Sequence, residues 1–234
     1  MKLDNATVLI TGANRGIGLA FARAALARGA RKVYAGARNP SSVTLPGVVP
    51  IKLDVTSPAD IASAAQQAPD VTLVINNAGI AQFGGLLAPD SEASMRQQFE
   101  TNVFGVLRVG RAFAPVLAAN GGGALLNVAS VASWVTMPAL AAYAVTKSAT
   151  WSLSNGLRNE LRGQGTQVLT LHMGFVDTDM TQGIDMPKAR PEDIVDRALD
   201  ALEAGADEVL ADDMTQHVKL GLSSRPGIYV QERL

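Results

Sequence analysis

Cysteine is absent from all 234 residues, which excludes disulfides, thiolate metal centres and cysteine nucleophiles. His172 and His217 are the only histidines and stand in no ligand spacing, so no metal site is expected and His172 reads as a structural residue at a strand end. Net charge is lacking too: at −1 there is no global field to draw nucleic acid or an anionic membrane, and neither is an expected partner. The longest stretch without a charge lies between Arg111 and Lys147, but Asn127, Ser130, Ser133, Thr136 and Pro138 break its apolar runs well short of the roughly 20 residues a bilayer crossing needs. That stretch reads as buried core beside a site. The opening Met1-Lys2-Leu3-Asp4-Asn5 has no apolar core of a signal peptide, which leaves a cytoplasmic location as the default expectation.

What is present is an alternation of short β-branched runs with longer Ala- and Leu-rich amphipathic runs, the pattern of parallel strands joined by crossover helices. Strands are expected at 7–10, 32–35, 48–53, 71–75, 124–128, 167–171 and 208–210, and helices at 17–28, 58–67, 91–119, 141–162 and 191–203. With 47 % hydrophobic residues and no visible linker or repeat, the chain is expected to form a single α/β domain. The fold expected is a Rossmann-type doubly wound parallel sheet of about seven strands with helices on both faces. Residues 205–234 read as a small appendage to it.

The first strand runs straight into Thr11-Gly12-Ala13-Asn14-Arg15-Gly16-Ile17-Gly18, and a helical pattern starts at once. A strand, a tight glycine turn and a helix N-terminus together aim backbone N–H groups and the positive end of a helix dipole at a phosphate. No acidic residue occurs between Asp4 and Asp54, so the carboxylate that would bind the ribose 2′-hydroxyl of NAD is missing. Arg38 stands about 20 residues past the glycine loop, where that discriminator belongs, and Arg15 lies within the loop. A guanidinium can hold a 2′-phosphate through two parallel charge-assisted hydrogen bonds, so NADP(H) is the expected cofactor. Arg23, Arg28, Arg31 and Lys32 read as solvated surface.

Tyr143 and Lys147 stand one helical turn apart, so both side chains share a face. A neighbouring ammonium favours the phenolate and is expected to lower the tyrosine's usual pKa of about 10. Alone, such a pair reads as a core aromatic followed by a surface lysine. Here Ser130 follows another strand at the carboxyl edge, where α/β sheets bind ligands, and Asn76-Asn77-Ala78-Gly79 ends a third strand at the same edge.

In order and spacing from Thr11 to about Thr178, these elements resemble the short-chain dehydrogenase/reductase family. The resemblance implies that Tyr143 is the general acid in carbonyl reduction, that Ser130 orients the carbonyl, and that Lys147 binds the nicotinamide ribose. It implies that Asn102, in Thr101-Asn102-Val103-Phe104-Gly105, supports a water relay to Lys147. It also carries cofactor contacts to Gly12, Asn14, Arg15, Gly16, Ile17 and Gly18, to Asp54 and Val55 near the adenine, to Asn77, Ala78 and Gly79 along the ribose, and to Val176 and Thr178 near the nicotinamide.

The sequence departs from the family at Met173, which replaces the proline of a Pro-Gly-x-Val-x-Thr element, and in the short interval between Met180 and Pro191. The glycine-rich carboxyl-terminal strand of many relatives is not recognisable after Glu208. Phe83, Trp134, Met137, Leu140, Phe175 and Met180 are apolar neighbours of the motifs and candidate substrate-pocket walls, with ordinary core packing as the alternative for each. The expectation is NADPH-dependent reduction of an uncharged, fairly apolar ketone or aldehyde by a homodimer or homotetramer. A 3-oxoacyl thioester reductase, an alcohol dehydrogenase working oxidatively, and a non-catalytic NADP-binding sensor or scaffold remain as alternatives.

Overall fold

Parallel strands covered on both faces need apolar side chains at successive positions, not at alternate ones. β1 (Thr7–Thr11), β4 (Leu73–Asn76) and β5 (Ala124–Val128) meet this requirement and are buried along their whole length. They form the middle of a seven-stranded sheet in the computed structural model, which describes residues 1–230. β2 (Lys32–Ala37) and β3 (Val49–Lys52) lie on one side, β6 (Gln167–His172) and β7 (Glu208–Leu210) on the other. All pairs are parallel and the order is β3-β2-β1-β4-β5-β6-β7. The order reverses between β1 and β4, and ligands of such sheets bind in the crevice beyond the strand ends at that reversal.

Two apolar cores cover the faces. On one, α1 (Gly16–Ala27) and α6 (Pro191–Glu203) bury Phe21, Val195 and Leu199 against Val8, Ile10, Leu126 and Leu171. On the other, α2 (Pro58–Gln67), α4 (Gly105–Ala119) and α5 (Ala141–Leu161) bury Ile61, Phe113, Leu117 and Leu157 against Leu9, Val74 and Leu125.

The helix expected over 91–119 is interrupted. α3 (Ser91–Phe99) is separated from α4 by a π-helical turn at Glu100–Phe104, where one extra residue enters the helical ladder. By length and composition the run Ser91–Ala119 could cross a membrane, but α4 turns its apolar face into the second core, burying Val106, Val109, Phe113 and Leu117. Other expected boundaries shift by a residue or two, as helix and strand ends commonly do. The carboxyl-terminal appendage contributes the edge strand β7 and a helix, α7 (Asp213–Gly221), that the sequence pattern did not reveal. Val218 of α7 and Ile228 pack against Val135, Val131 and Trp134 in a third, small core over the segment after β5.

Phe113 is fully buried at the centre of the second core, whereas Leu87 is fully exposed. Phe113→Ala is expected to cost about 3–5 kcal/mol of unfolding free energy, and Leu87→Ala less than about 0.5 kcal/mol. Urea unfolding of both variants checks the contrast.

Candidate active site

The glycine loop is shaped by contacts that no larger residue allows. Gly12 and Gly16 adopt left-handed φ values of 65° and 53°. A Cβ on Gly18 would drive into the Gly12 carbonyl and the Asn77 amide, so α1 meets β1 with backbone against backbone. Thr11 ties the loop to the neighbouring strand end: its hydroxyl accepts the N–H groups of Asn77 (3.0 Å) and Ala78 (2.9 Å). Asn77 returns the link by donating to the Thr11 carbonyl (2.9 Å). Ile17 and the half-buried Asn14 complete the turn. The result is an open cradle of N–H groups at a helix N-terminus, which fits a pyrophosphate.

The remaining expected cofactor residues follow the carboxyl ends of β2, β3 and β6. Thr178 lies against the cradle, since a Cβ on Gly16 would come within 3.3 Å of the Thr178 Cγ2. Val176 is buried beneath, and Val55 is packed closely enough against Gly105 to forbid a side chain there. Asp54 accepts from the Thr56 N–H (2.9 Å) and hydroxyl (2.8 Å) just past β3. Arg38 is exposed immediately after β2. Arg15 is also exposed, but its guanidinium is paired with Asp179 at 2.8 Å.

Ser130, Tyr143 and Lys147 converge at the same edge. α5 carries Tyr143 and Lys147 on one face and packs against the segment after β5 that carries Ser130. Two hydrogen bonds lock this packing: Ser133 Oγ donates to the Lys147 carbonyl (3.1 Å) and Ser148 Oγ to the Ser133 carbonyl (2.9 Å). Ser130 Oγ accepts from the Ala132 N–H (3.1 Å), contacts the Met173 carbonyl at a long 3.4 Å, and lies close enough to Tyr143 to bear on its acidity. Lys147 is buried and its Nζ donates to the Val128 carbonyl at 2.7 Å.

The electrostatics differ from the sequence expectation. Tyr143 keeps some exposed surface, yet the protein crowded around it pushes its pKa up to about 12, opposed by the nearby Ser130 hydroxyl. Lys147 does not produce the expected lowering: its Nζ is held on Val128, 5.5 Å from the Tyr143 ring centre, and burial pushes its own pKa down to about 8. Tyr143 is therefore a protonated phenol at neutral pH.

Asn102 is buried in the π-helical turn, and its side chain is fully used. Its Oδ1 accepts the Ile80 N–H (2.9 Å), while its Nδ2 donates to the Ile80 carbonyl (2.8 Å) and the Thr146 hydroxyl (3.0 Å). This clamp leaves no side-chain donor for the expected relay to Lys147. It holds in place the segment that follows Gly79, and a Cβ on Gly79 would lie 3.3 Å from Asn102 Oδ1 and 4.0 Å from Lys147 Nζ. Pattern reading had no means of finding the roles of Thr11 and Thr146, because both look like ordinary strand and helix residues.

Of the expected pocket walls, Phe83 (59 %), Met137 (41 %) and Met180 (43 %) are exposed on loops after β4, β5 and β6. Leu140 joins two of these loops through a bridge to Gly84, and Phe175 anchors the third by accepting the Ala189 N–H (2.9 Å). Trp134 corrects its expectation. Its ring stacks on His172 and meets Trp151 edge-on, so it belongs to the carboxyl-terminal core. A separate surface depression, between Gln82 and Phe83 on one side and Asp90, Ser94 and Gln97 on the other, does not include the Ser130, Tyr143 and Lys147 group.

The family model for short chain dehydrogenases matches residues 6–189. The chain belongs to this family. A galactitol 2-dehydrogenase (L-tagatose-forming) of Cereibacter sphaeroides is 35 % identical over 202 residues, covering 82 % of this chain and 78 % of that protein. The 3-oxoacyl-[acyl-carrier-protein] reductase of Salmonella typhimurium is 30 % identical, with 79 % of each chain covered. Among solved structures, a short chain dehydrogenase from Burkholderia cenocepacia in complex with NADP superposes with a TM-score of 0.92 at 38 % identity, over 97 % of this chain and 96 % of that one. Short chain dehydrogenases are oxidoreductases, so the fold and the broad reaction class follow from membership.

Burial of the Lys147 ammonium has a measurable consequence. A lysine whose folded pKa, about 8, lies below its unfolded value of about 10.4 carries fewer protons folded than unfolded between those limits. Stability from this group therefore rises with pH across that window. Thermal melts of the cofactor-free protein are expected to show wild type gaining on Lys147→Met as pH goes from about 8 to about 10, and a constant difference would contradict it.

Proposed function

We propose that this short chain dehydrogenase reduces an uncharged, fairly apolar ketone or aldehyde with NADPH. The observation that carries the reading is the convergence of Tyr143, Ser130 and Lys147 at the sheet edge, with the Lys147 Nζ 5.5 Å from the Tyr143 ring centre and the glycine cradle at the same edge. When bound, the reduced nicotinamide supplies the hydride. The chain's own residues do the rest.

Tyr143, held as a phenol by its surroundings, donates a proton to the carbonyl oxygen as negative charge develops there. Ser130 holds its own proton only weakly toward the Met173 carbonyl, at 3.4 Å, and turns it toward the same oxygen. The Lys147 ammonium, anchored by one donor to Val128, has two further N–H donors for ribose hydroxyls next to Gly79. Asn102 acts by clamping Ile80, which fixes the Asn77-Ala78-Gly79 turn that borders the ribose.

NADPH is favoured because β2 ends in exposed Arg38 with no carboxylate in the preceding segment, and because the Burkholderia cenocepacia relative is in complex with NADP. Arg15 would leave Asp179 for the 2′-phosphate, an exchange of one exposed ion pair for a stronger bidentate one. The substrate class rests on Phe83, Met137 and Met180, apolar side chains exposed on the loops that follow β4, β5 and β6 at the sheet edge that carries Ser130. Exposed apolar surface of this kind marks a ligand-binding rim. The seven strands share one sheet, in keeping with a single domain, and exposed Phe104 and Val145 on the long helices suit a homodimer or homotetramer.

Following NADPH consumption over a panel of aryl, alkyl and cyclic ketones, β-keto esters and aldehydes tests the reading. Tyr143→Phe is expected to lower kcat by about 10²–10⁴ with NADPH affinity unchanged. Turnover that survives this change would overturn the mechanism and favour a sensor or scaffold. Arg38→Ala is expected to weaken NADPH binding about tenfold or more, the cost of lost hydrogen bonds to a charged group, with little effect on NADH. Equal weakening of both would remove Arg38 from the phosphate site.

A further inference from the structure

His172 is completely buried at the end of β6, and none of the chemistry proposed above uses it. Its Nδ1 lies 3.0 Å from the Ser130 backbone carbonyl, which also accepts the Ser133 N–H at 3.0 Å. A carbonyl only accepts, so Nδ1 carries a proton and donates it. The other ring nitrogen, Nε2, lies 3.3 Å from Glu208 Oε1 at the head of β7, off the line of a regular hydrogen bond. Glu208 is held from its far side by Lys219 of α7 at 2.7 Å, and the Lys219 ammonium lies 4.5 Å over the Trp134 ring. Trp134 in turn stacks on His172, with ring centres 4.1 Å apart and planes 23° from parallel. The ring is therefore fixed in plane by two polar contacts and out of plane by a stack.

We propose that His172 is a positioning residue for Ser130: held by Glu208 and stacked on Trp134, it pins the Ser130 backbone and so aims the Ser130 hydroxyl at Tyr143. The inference rests on the roles proposed above for Ser130 and Tyr143. Three features support it. The pinned carbonyl belongs to the residue whose side chain meets Tyr143, so rotation of that peptide would move the hydroxyl directly. The peptide after Ser130 is also held by backbone bonds, Val131 N–H to the Met173 carbonyl (2.8 Å) and Ser133 N–H to the Ser130 carbonyl (3.0 Å), and His172 is the side chain that adds to them at that carbonyl. Glu208 is itself anchored at the far end: Lys219 donates to it at 2.7 Å, and with His172 and then Lys219 beside it the carboxyl is drawn down to about 2 against partial burial. Through this chain the carboxyl-terminal appendage, which sequence reading left without a purpose, reaches the site.

The test reads Tyr143 directly and needs no substrate. Protein labelled with ¹³C at the tyrosine ring carbon bearing the hydroxyl gives a Tyr143 signal assigned by its loss in Tyr143→Phe, and Ser130→Ala defines the shift caused by losing the Ser130 partner. His172→Phe, which keeps a flat ring on Trp134 but has no N–H, is expected to reproduce at least half of that shift with NADPH affinity within about twofold of wild type, since errors of ångström size at a site carry large effects. His172→Gln, which restores a donor, is expected to recover part of the wild-type position. Trp151→Phe, which loosens the same core without touching His172, is expected to leave the signal in place.

A Tyr143 signal unmoved in folded His172→Phe overturns the proposal. So does an equal shift in Trp151→Phe, because general loosening would then explain everything. Should His172→Phe fail to fold, Glu208→Gln at the partly exposed end of the chain decides by the same criterion. Turnover surviving Tyr143→Phe would instead strike at the functional reading while leaving this coupling intact, so the two failures are distinguishable.

Discussion

No side-chain atom can stand between the first turn of α1 and the end of β1, and the rest of the site depends on that constraint. Gly18 lets the helix approach until its backbone touches the Gly12 carbonyl, and Asn77 fills the remaining space by donating to the Thr11 and Gly12 carbonyls. This contact sets the width of the crevice at the point where the strand order reverses. It also fixes the height of the Asn77-Ala78-Gly79 turn, against which both Asn102 and Lys147 are placed.

A second structural thread runs through the buried polar groups on the β4 and β5 side. Asn76 donates to Asn127 (2.9 Å), Asn127 to Ser154 (3.0 Å), and Ser154 to the Thr150 carbonyl (2.8 Å). The Thr150 hydroxyl sits between the Thr146 carbonyl (2.8 Å) and the Asn102 carbonyl (3.0 Å), which share its one proton. A buried polar chain of this sort rigidifies when each member is satisfied, and it would be costly if one were left alone. It binds β4, β5, α5 and the π-helical turn into one unit, so the groups at the sheet edge inherit their spacing from a stiff base.

Most of the sheet and four of the five expected helices were legible because burial on both faces writes continuous apolar runs, and glycine or proline marks several ends. The glycine loop and the Tyr143–Lys147 pair were legible because their spacing has a chemical reason. Other features left no local trace. Gly110 and Pro115, the residues that would be expected to break the run, stand inside α4 and neither marks the break at Glu100–Phe104, while α7 is too short and polar to stand out. Trp134 looked like a pocket wall from its neighbours in sequence, but its direction is set by His172 and Lys219, which come from distant segments. The Tyr143 pKa failed as an expectation for a related reason: the lysine beside it in sequence is turned toward Val128, and enclosure by the fold outweighs its charge.

The π-helical turn between α3 and α4 also divides one rod into two with separate rotational phase. The extra residue offsets the two by about 100°, one residue's rotation about the axis, so the face α4 turns to the core is not continued along α3. Substitutions in α3 can then accumulate without misaligning Phe113 and Leu117 beneath the sheet. The joint falls at Asn102, so the residue that marks the change of phase is also the one that clamps the segment after β4.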